Sequence, residues 1–345
     1  MSDFNLLILC VSLVFVSSMA TDFIRRISIK NKLYDVPNNR SSHHIPTPRG
    51  GGVVIILTLL ITIAILAFNK ELGTDFSISM LIGLSIIAAT GLIDDIKNLP
   101  ILIRATAYIV GAVLSIYLIG GFSYLSINNF SLHLGSFGYI LSVLFVVWLT
   151  NLYNFMDGTD GFAAIQTICV ALFCGLLLFS SDNMPFAIIL FCLASSTIGF
   201  LILNWAPAKI FMGDVGSCTL GFLFGLFSIY TEKNGIMPIS VWLILLSPFI
   251  GDATFTLLKR IINKEKWYKA HNSHAYQKLY QLGMTHKQLA ICLLITNTII
   301  IWPLAYFANA YRSLEFAMII LSYFMIGAIW LVVQLKYNES KEILS

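Results

Sequence analysis

Asp157 and Asp160 lie three residues apart in NLYNFMDGTDGFAA, residues 151–164, each followed by glycine, between two long apolar runs. A carboxylate at the centre of a membrane helix costs about 2.5–3.5 kcal/mol on insertion scales. A chain with only 11% charged residues therefore needs a reason to place two here. Further acids stand in similar settings: Asp94 and Asp95 in GLIDDIKNLP, Asp214 in KIFMGDVGS and Asp252 in SPFIGDATF. Any one of them could cap a helix, and Asp95 and Asp214 suit that role. As a group they gather like charges that repel unless a cation joins them. A hard divalent cation, held by one or two carboxylates and by substrate phosphates, fits the pattern best.

Anion-binding parts accompany the acids. HHIPTPRGGGVV runs Arg49, Gly50 and Gly51 into an apolar run, and glycines at a helix N-terminus expose N–H groups and a positive dipole end to a phosphate. MGDVGS brings the same geometry to a second helix. In KWYKAHNSHAYQKLYQLG the spacing predicts an interfacial helix ended by Gly283, with His271, His274 and Lys278 on one face. Two histidines so placed suit phosphate contact or proton handling better than metal ligation. Thr285 and Gln288 in THKQ read as a capping box.

The elements that must position these residues are membrane helices. Of 345 residues 58% are hydrophobic, which excludes an ordinary soluble globule. Apolar runs long enough to cross a hydrocarbon core fall at about 4–20, 51–68, 78–93, 102–120, 137–153, 162–180, 185–203, 217–231, 238–258, 289–308 and 315–335. Each must be helical, because an open strand cannot satisfy its backbone in lipid. The expected fold is one all-α polytopic membrane domain over residues 1–345 with about eleven spans. The first run lacks a basic n-region and reads as a retained span rather than a signal peptide.

With eleven spans, the loops 21–50, 94–104, 151–161, 204–216 and 259–288 and the C-terminal tail hold 18 of the 21 Lys and Arg. The other side keeps only Lys70, Lys233 and Arg312. Positive-inside bias then puts the N-terminus outside and those loops, the C-terminus and the carboxylates in the cytoplasm. The net charge of +4 is explained by anionic lipid and calls for no nucleic acid. Six scattered cysteines form no C-x-x-C pair, so neither a zinc site nor a disulfide framework is indicated. The outer segment 121–137 alternates enough to predict a small hairpin, with His133 at the surface.

A cytoplasmic-face site with a divalent cation, phosphate cradles and a lipid-accessible wall suits phosphoryl transfer from a soluble donor to a membrane-embedded acceptor. YDVPNNRSSHHIPTPRGGG, GLIDDIKNLP, NLYNFMDGTDG, IFMGDVGS and HNSHAYQKL stand in the order found in polyprenyl-phosphate N-acetylhexosamine-1-phosphate transferases, which the chain resembles from about residue 30 to 280. The resemblance implies transfer of a sugar 1-phosphate from a UDP-N-acetylhexosamine to undecaprenyl phosphate, releasing UMP. Asp94 and Asp95 match the family's Asp-Asp pair, associated with the polyprenyl phosphate and its deprotonation. Asn151, Asn154, Asp157 and Asp160 match its signature for nucleotide-sugar binding and catalysis. Asp214 matches its magnesium ligand, with Mn²⁺ as the alternative ion, and His271 and His274 fall near its histidine motif. Here that motif reads His-x-x-His-Ala-Tyr-Gln, which points toward bacterial O-antigen and capsule-initiating members, some using 6-deoxy sugars.

Asp252, inside a span, joins Arg49, Gly50 and Gly51 as a substrate-side candidate. The expected location is the bacterial inner membrane, and a homodimer stays open. A cation- or proton-coupled carrier also keeps intramembrane carboxylates, but near the midplane and with repeat symmetry, which this chain lacks. A transferase using cytidine-diphosphate alcohols would space its aspartates by whole helical turns, unlike DGTDG.

Overall fold

The computed structural model describes residues 3–37, 42–43, 45–128, 130–266 and 271–344. Every apolar run is helical: α1 (Asp3–Lys30), α2 (Gly52–Phe68), α3 (Thr74–Lys97), α4 (Ile101–Ile119), α5 (Phe137–Phe155), α6 (Phe162–Ser180), α7 (Met184–Asn204) and α8 (Asp214–Lys233) come first. Then follow α9 (Ile239–Leu245), α10 (Ser247–Ile262), α11 (Ala275–Gln281), α12 (His286–Ile295), α13 (Trp302–Ala310) and α14 (Glu315–Leu344). Among the described residues nine helices are long and apolar enough to cross a membrane, counting α12 through α13 as one, and the chain is a multi-pass membrane protein. α2, with 17 residues, is about 26 Å long at 1.5 Å per residue.

Two runs are not the straight spans their apolar composition predicts. The run at 238–258 divides into α9 and α10, bent by 71°. Pro248 stands in the first turn of α10, where it has no N–H to give to the helix before it. The run at 289–308 carries a π-helical segment, Thr296–Ile301, in which buried Asn297 donates to Gln166 Oε1 at 2.9 Å. Helices also continue into the expected loops: α1 to Lys30, α3 to Lys97 and α14 to Leu344. Polar composition ends an apolar run without ending a helix.

The core centres on α8, the span with the lowest mean hydropathy, 1.2, and the most buried, 89%. It is solvated by protein rather than lipid. Its Ser217, Thr219 and Thr231 hydroxyls donate back to carbonyls four residues earlier. Small residues allow close crossings: a Cβ on Gly221 would stand 2.3 Å from Leu149 O, and one on Gly52 would stand 2.4 Å from Gly216 Cα. Gly52→Ala therefore drives backbone against backbone, and a loss of about 1–3 kcal/mol is expected. Gly73→Ala, whose Cβ meets only the Tyr230 hydroxyl at 3.7 Å, is expected to be nearly silent. Thermal unfolding of both variants in detergent checks this pair.

The hairpin expected in 121–137 is present: β3 (Tyr124–Ile127) pairs antiparallel with β4 (Phe130–His133), and His133 is exposed. Asn128 at its turn accepts from Phe316 N at 3.0 Å, tying it to α14. A two-residue ladder of β1 (Tyr34–Asp35) and β2 (Thr47–Pro48) orders the first long loop. All six cysteines are free.

Candidate active site

The carboxylates from separate segments meet at one end of the bundle, around a cavity of about 270 Å³. Asp35, Asp95, Asp157, Asp160 and Asp214 line it, with Arg49, Asn154 and Asn204. Four of these carboxylates are tied down. Asp35 pairs with Arg49 Nη2 at 2.6 Å. Asp95 accepts from the backbone N–H groups of Asp214 and Val215 at 2.9 and 3.2 Å. Asp160 accepts from Ala208 N at 3.0 Å and faces His286 Nδ1 at 3.2 Å. Asp214 accepts from Asn154 Nδ2 at 2.8 Å and Arg104 Nη1 at 3.2 Å.

Asp157 is the exception: its carboxylate has no hydrogen-bonding or ion-pair partner among the described residues. Burial, then the negative charges of Asp214, Asp95 and Asp160, push it well above the usual carboxylate range. Burial works against the charge on Arg49, but Asp35, then Asp95 and Asp214, hold its pKa above the ordinary value.

Local structure explains the turn that carries Asp157. α5 ends at Phe155, and Gly161, at φ +74°, starts α6 in a conformation that favours glycine. Gly161 N donates to Asn204 Oδ1 at 2.9 Å, and Asn204 Nδ2 donates to Ile210 O, so one amide side chain joins the turn to the loop before α8. Ser42 Oγ donates to Gly158 O at 2.5 Å, bringing the first long loop over the same turn.

Other sequence candidates fall elsewhere. Asp94 does not line the cavity; Leu99 N donates to it at 2.5 Å and Arg104 Nη1 at 2.9 Å, clamping the corner between α3 and α4. Asn151 donates back to Val147 O within α5. Asp252 accepts from Ala275 N at 2.8 Å and Tyr276 N at 3.3 Å, so its buried charge caps α11. That cap also corrects the expected helix over 266–283. Residues 267–270 lie outside the described residues, 271–274 are not helical, and the helix begins only at Ala275. His271 and Lys278 therefore share no helical face. His271 meets Ser273 Oγ at 2.8 Å, and its pKa is lowered to about 4 by burial, then by His274 and Arg260. His274 is the N-cap of α11 with Nδ1 3.6 Å from Asp252. The capping box of Thr285 and Gln288 is present.

The two glycine-rich helix starts are also corrected as open phosphate cradles. Gly51 N and Gly52 N donate to Phe211 O and Met212 O, both at 2.9 Å. Side chains there would collide: a Cβ on Gly51 would stand 2.4 Å from the Phe200 ring. At α8 an anion does sit on the N-terminus, but it is the carboxylate of Asp95.

Sequence reasoning overlooked Arg104, Asp35, Asn204 and His286 as site residues. Arg104 carried a usable signal, a lone cation beside an apolar run in LPILIRATAY. The others become visible only through partners far along the chain.

The donor set fits a divalent cation of one kind. Among the described residues no three His, Cys, Asp or Glu side chains form a closed cage. Asp214, with each oxygen accepting one hydrogen bond, keeps lone-pair directions toward a cavity crowded with negative charge. Such a site suits a magnesium-like ion that keeps its waters and takes its other ligands from phosphates.

Residues 77–232 match the family described as glycosyl transferase family 4. The chain is 30% identical over 292 residues to a probable undecaprenyl-phosphate N-acetylglucosaminyl 1-phosphate transferase of Bacillus subtilis, covering 81% of this chain and 78% of that one. It is 28% identical over 313 residues to a decaprenyl-phosphate N-acetylglucosaminephosphotransferase of Mycobacterium leprae, covering 80% and 77%. With the undecaprenyl-phosphate alpha-N-acetylglucosaminyl 1-phosphate transferase of Escherichia coli K12 it shares 24% identity over 304 residues, covering 84% and 80%.

Proposed function

The chain belongs to the polyprenyl-phosphate N-acetylhexosamine-1-phosphate transferases of glycosyl transferase family 4, and on that footing we propose the following reaction. The protein transfers N-acetylhexosamine 1-phosphate from UDP-GlcNAc or a 6-deoxy relative to undecaprenyl phosphate, releasing UMP and starting a lipid-linked cell-surface glycan. The observation that carries this reading is the cavity of five carboxylates, four held by protein partners and one, Asp157, free to act.

The acceptor phosphate oxygen attacks the β-phosphorus as the bond to UMP breaks. Asp157 takes the proton of the acceptor, its proton affinity raised by burial and by the negative charges of Asp214, Asp95 and Asp160. Asp214 would hold Mg²⁺, or Mn²⁺, which when bound neutralises the donor pyrophosphate and stabilises the leaving UMP. Arg49, anchored by Asp35, adds a fixed positive charge at the cavity wall. A wider groove of about 530 Å³ shares His43, Asp160 and Phe211 with the cavity and adds Tyr280, His286 and Lys287, an aromatic and basic lining suited to the nucleoside end of the donor. The basic loops around this end support an active site on the cytoplasmic face of the bacterial inner membrane.

The carrier alternative loses its footing at Asp252, a buried acid inside α10, which caps α11 instead of lining a central pathway. The test is purified protein with undecaprenyl phosphate, Mg²⁺ and a panel of UDP-GlcNAc, UDP-GalNAc and 6-deoxy donors. UMP release is expected with one of them, is expected to stop on chelation with EDTA, and to return with added Mg²⁺. No UMP with any donor defeats the transferase reading; unchanged release in EDTA defeats the metal assignment.

A further inference from the structure

A second charged cluster lies away from the cavity, where α10, α11 and α14 meet. Lys259 Nζ, in the last turn of α10, donates to Gln334 Oε1 at 2.9 Å, and Lys278 Nζ, in α11, donates to the same oxygen. Lys278 Nζ also stands 4.6 Å from the centre of the Tyr337 ring, and Lys341 Nζ stands 5.1 Å from it. Lys259 lies 5.7 Å from the Trp330 ring. Among the described residues none of the three lysines forms an ion pair. The acids nearest in charge are otherwise engaged, Glu265 with Arg260 at 2.7 Å and Asp252 with the start of α11.

Helix C-termini favour lysine, which accounts for a cation at each helix end taken singly. It does not account for their convergence. Lys278 is only 7% exposed, and its one strong acceptor is a neutral amide oxygen shared with another ammonium. Buried cations ordinarily keep an anionic partner. Burial, followed by the fields of Lys259 and Lys341, lowers Lys278 to about 8, in line with a missing anion.

The position along α14 indicates where that anion comes from. Leu331, Val332 and Leu335 are about half exposed at 51, 50 and 53%, an apolar strip facing outward just before Tyr337. Trp330 and Tyr337 are aromatics of the kind that sit at headgroup level. Lys341 follows Leu335 by six residues of α14, about 9 Å at 1.5 Å per residue. Lys278 stands against the same Tyr337 ring, while Lys259 lies level with the strip. Cations at and just beyond an outward apolar strip match a lipid phosphate with its chains alongside.

We propose that Lys259, Lys278 and Lys341 form a binding site for the phosphate of an anionic bilayer phospholipid, whose acyl chains lie along Leu331, Val332 and Leu335. The occupied site pins α11 against α14. α11 also carries Tyr276, whose hydroxyl donates to Phe155 O at 2.9 Å, and Gln277, which lines the catalytic cavity. The lipid thereby supports the turn that holds Asp157. The site stands apart from the proposed catalytic chemistry, and its test reads binding rather than turnover.

The experiment is native mass spectrometry of the full chain in detergent, titrated separately with phosphatidylglycerol, phosphatidylcholine, undecaprenyl phosphate and inorganic phosphate. Phosphatidylglycerol is expected to bind at least tenfold more tightly than phosphatidylcholine. The double variant Lys259→Gln/Lys341→Gln, altered at helix ends, is expected to lose that preference, and Lys278→Arg to keep it. Size-exclusion profile and helical content report that each variant is folded. Equal phosphatidylglycerol binding by the double variant and the parent overturns the site. Saturation by inorganic phosphate alone, or a tenfold preference for undecaprenyl phosphate, overturns the phospholipid as its occupant.

Discussion

Asp157→Asn is expected to lower kcat by about 10²–10⁴-fold, the range for a lost general base, with the KM for the UDP sugar changed only a few-fold. Asparagine keeps the shape of the side chain and removes its ability to accept a proton. Because the Asp157 carboxylate makes no hydrogen bond or ion pair among the described residues, the substitution breaks no protein contact, and unfolding temperature is expected to hold or rise slightly. The rise has a physical source: one of several crowded negative charges has gone. The other cavity carboxylates give the opposite pattern. Asp95→Asn weakens acceptance from two backbone N–H groups at the start of α8, so stability and activity fall together. Steady-state UMP release and thermal unfolding of both variants separate these roles. The covalent route is tested with donor alone. If Asp157 acts as a base, protein and UDP-GlcNAc without lipid release no UMP; a stoichiometric burst with a sugar-phosphoryl group on Asp157 would make it the nucleophile instead.

How much of this was legible in the sequence follows from the range of the forces involved. Lipid imposes its demand on every residue of a span, so the apolar runs and their helical state are readable locally. The hairpin of β3 and β4 was readable too, because period-two alternation is a local signal. The carboxylates were found because a charge near an apolar run is conspicuous, yet their partners were not. Asp252 answers two N–H groups more than twenty residues away, Ala275 and Tyr276, and backbone donors carry no mark in a sequence. The glycines at 50–52 were legible as special but not in purpose. Whether a helix N-terminus is open to phosphate depends on carbonyls 211–212, brought there by tertiary structure. Asp95 shows the same limit from the other side: a helix cap was foreseen, but on another helix's N-terminus, 119 residues along the chain.

Arg104 leads to the second large effect, because it joins what the sequence presents as separate motifs. Its Nη1 reaches Asp94 Oδ2 at 2.9 Å and Asp214 Oδ2 at 3.2 Å, so a residue at the start of α4 sets the position of the carboxylate proposed to hold the metal. Arg104→Met removes the only cation paired with either acid among the described residues and leaves two carboxylates facing each other. Removing one partner of a buried ion pair costs about 3–5 kcal/mol. With the Arg104 side chain 29% exposed, solvent screening reduces that, and about 1–3 kcal/mol is the expected loss. Activity is expected to fall by at least about tenfold beyond what unfolding explains, each 1.4 kcal/mol of lost positioning being a factor of ten. Arg104→Lys makes the prediction specific. Both contacts run through a single nitrogen, so the fork geometry that usually makes arginine irreplaceable is not in use, and an ammonium at that point can answer both oxygens. Lysine is therefore expected to recover most of the stability and activity that methionine loses. If lysine is as damaging as methionine, the guanidinium acts through its planar shape or on substrate directly, and its role as a charge bridge between Asp94 and Asp214 is wrong.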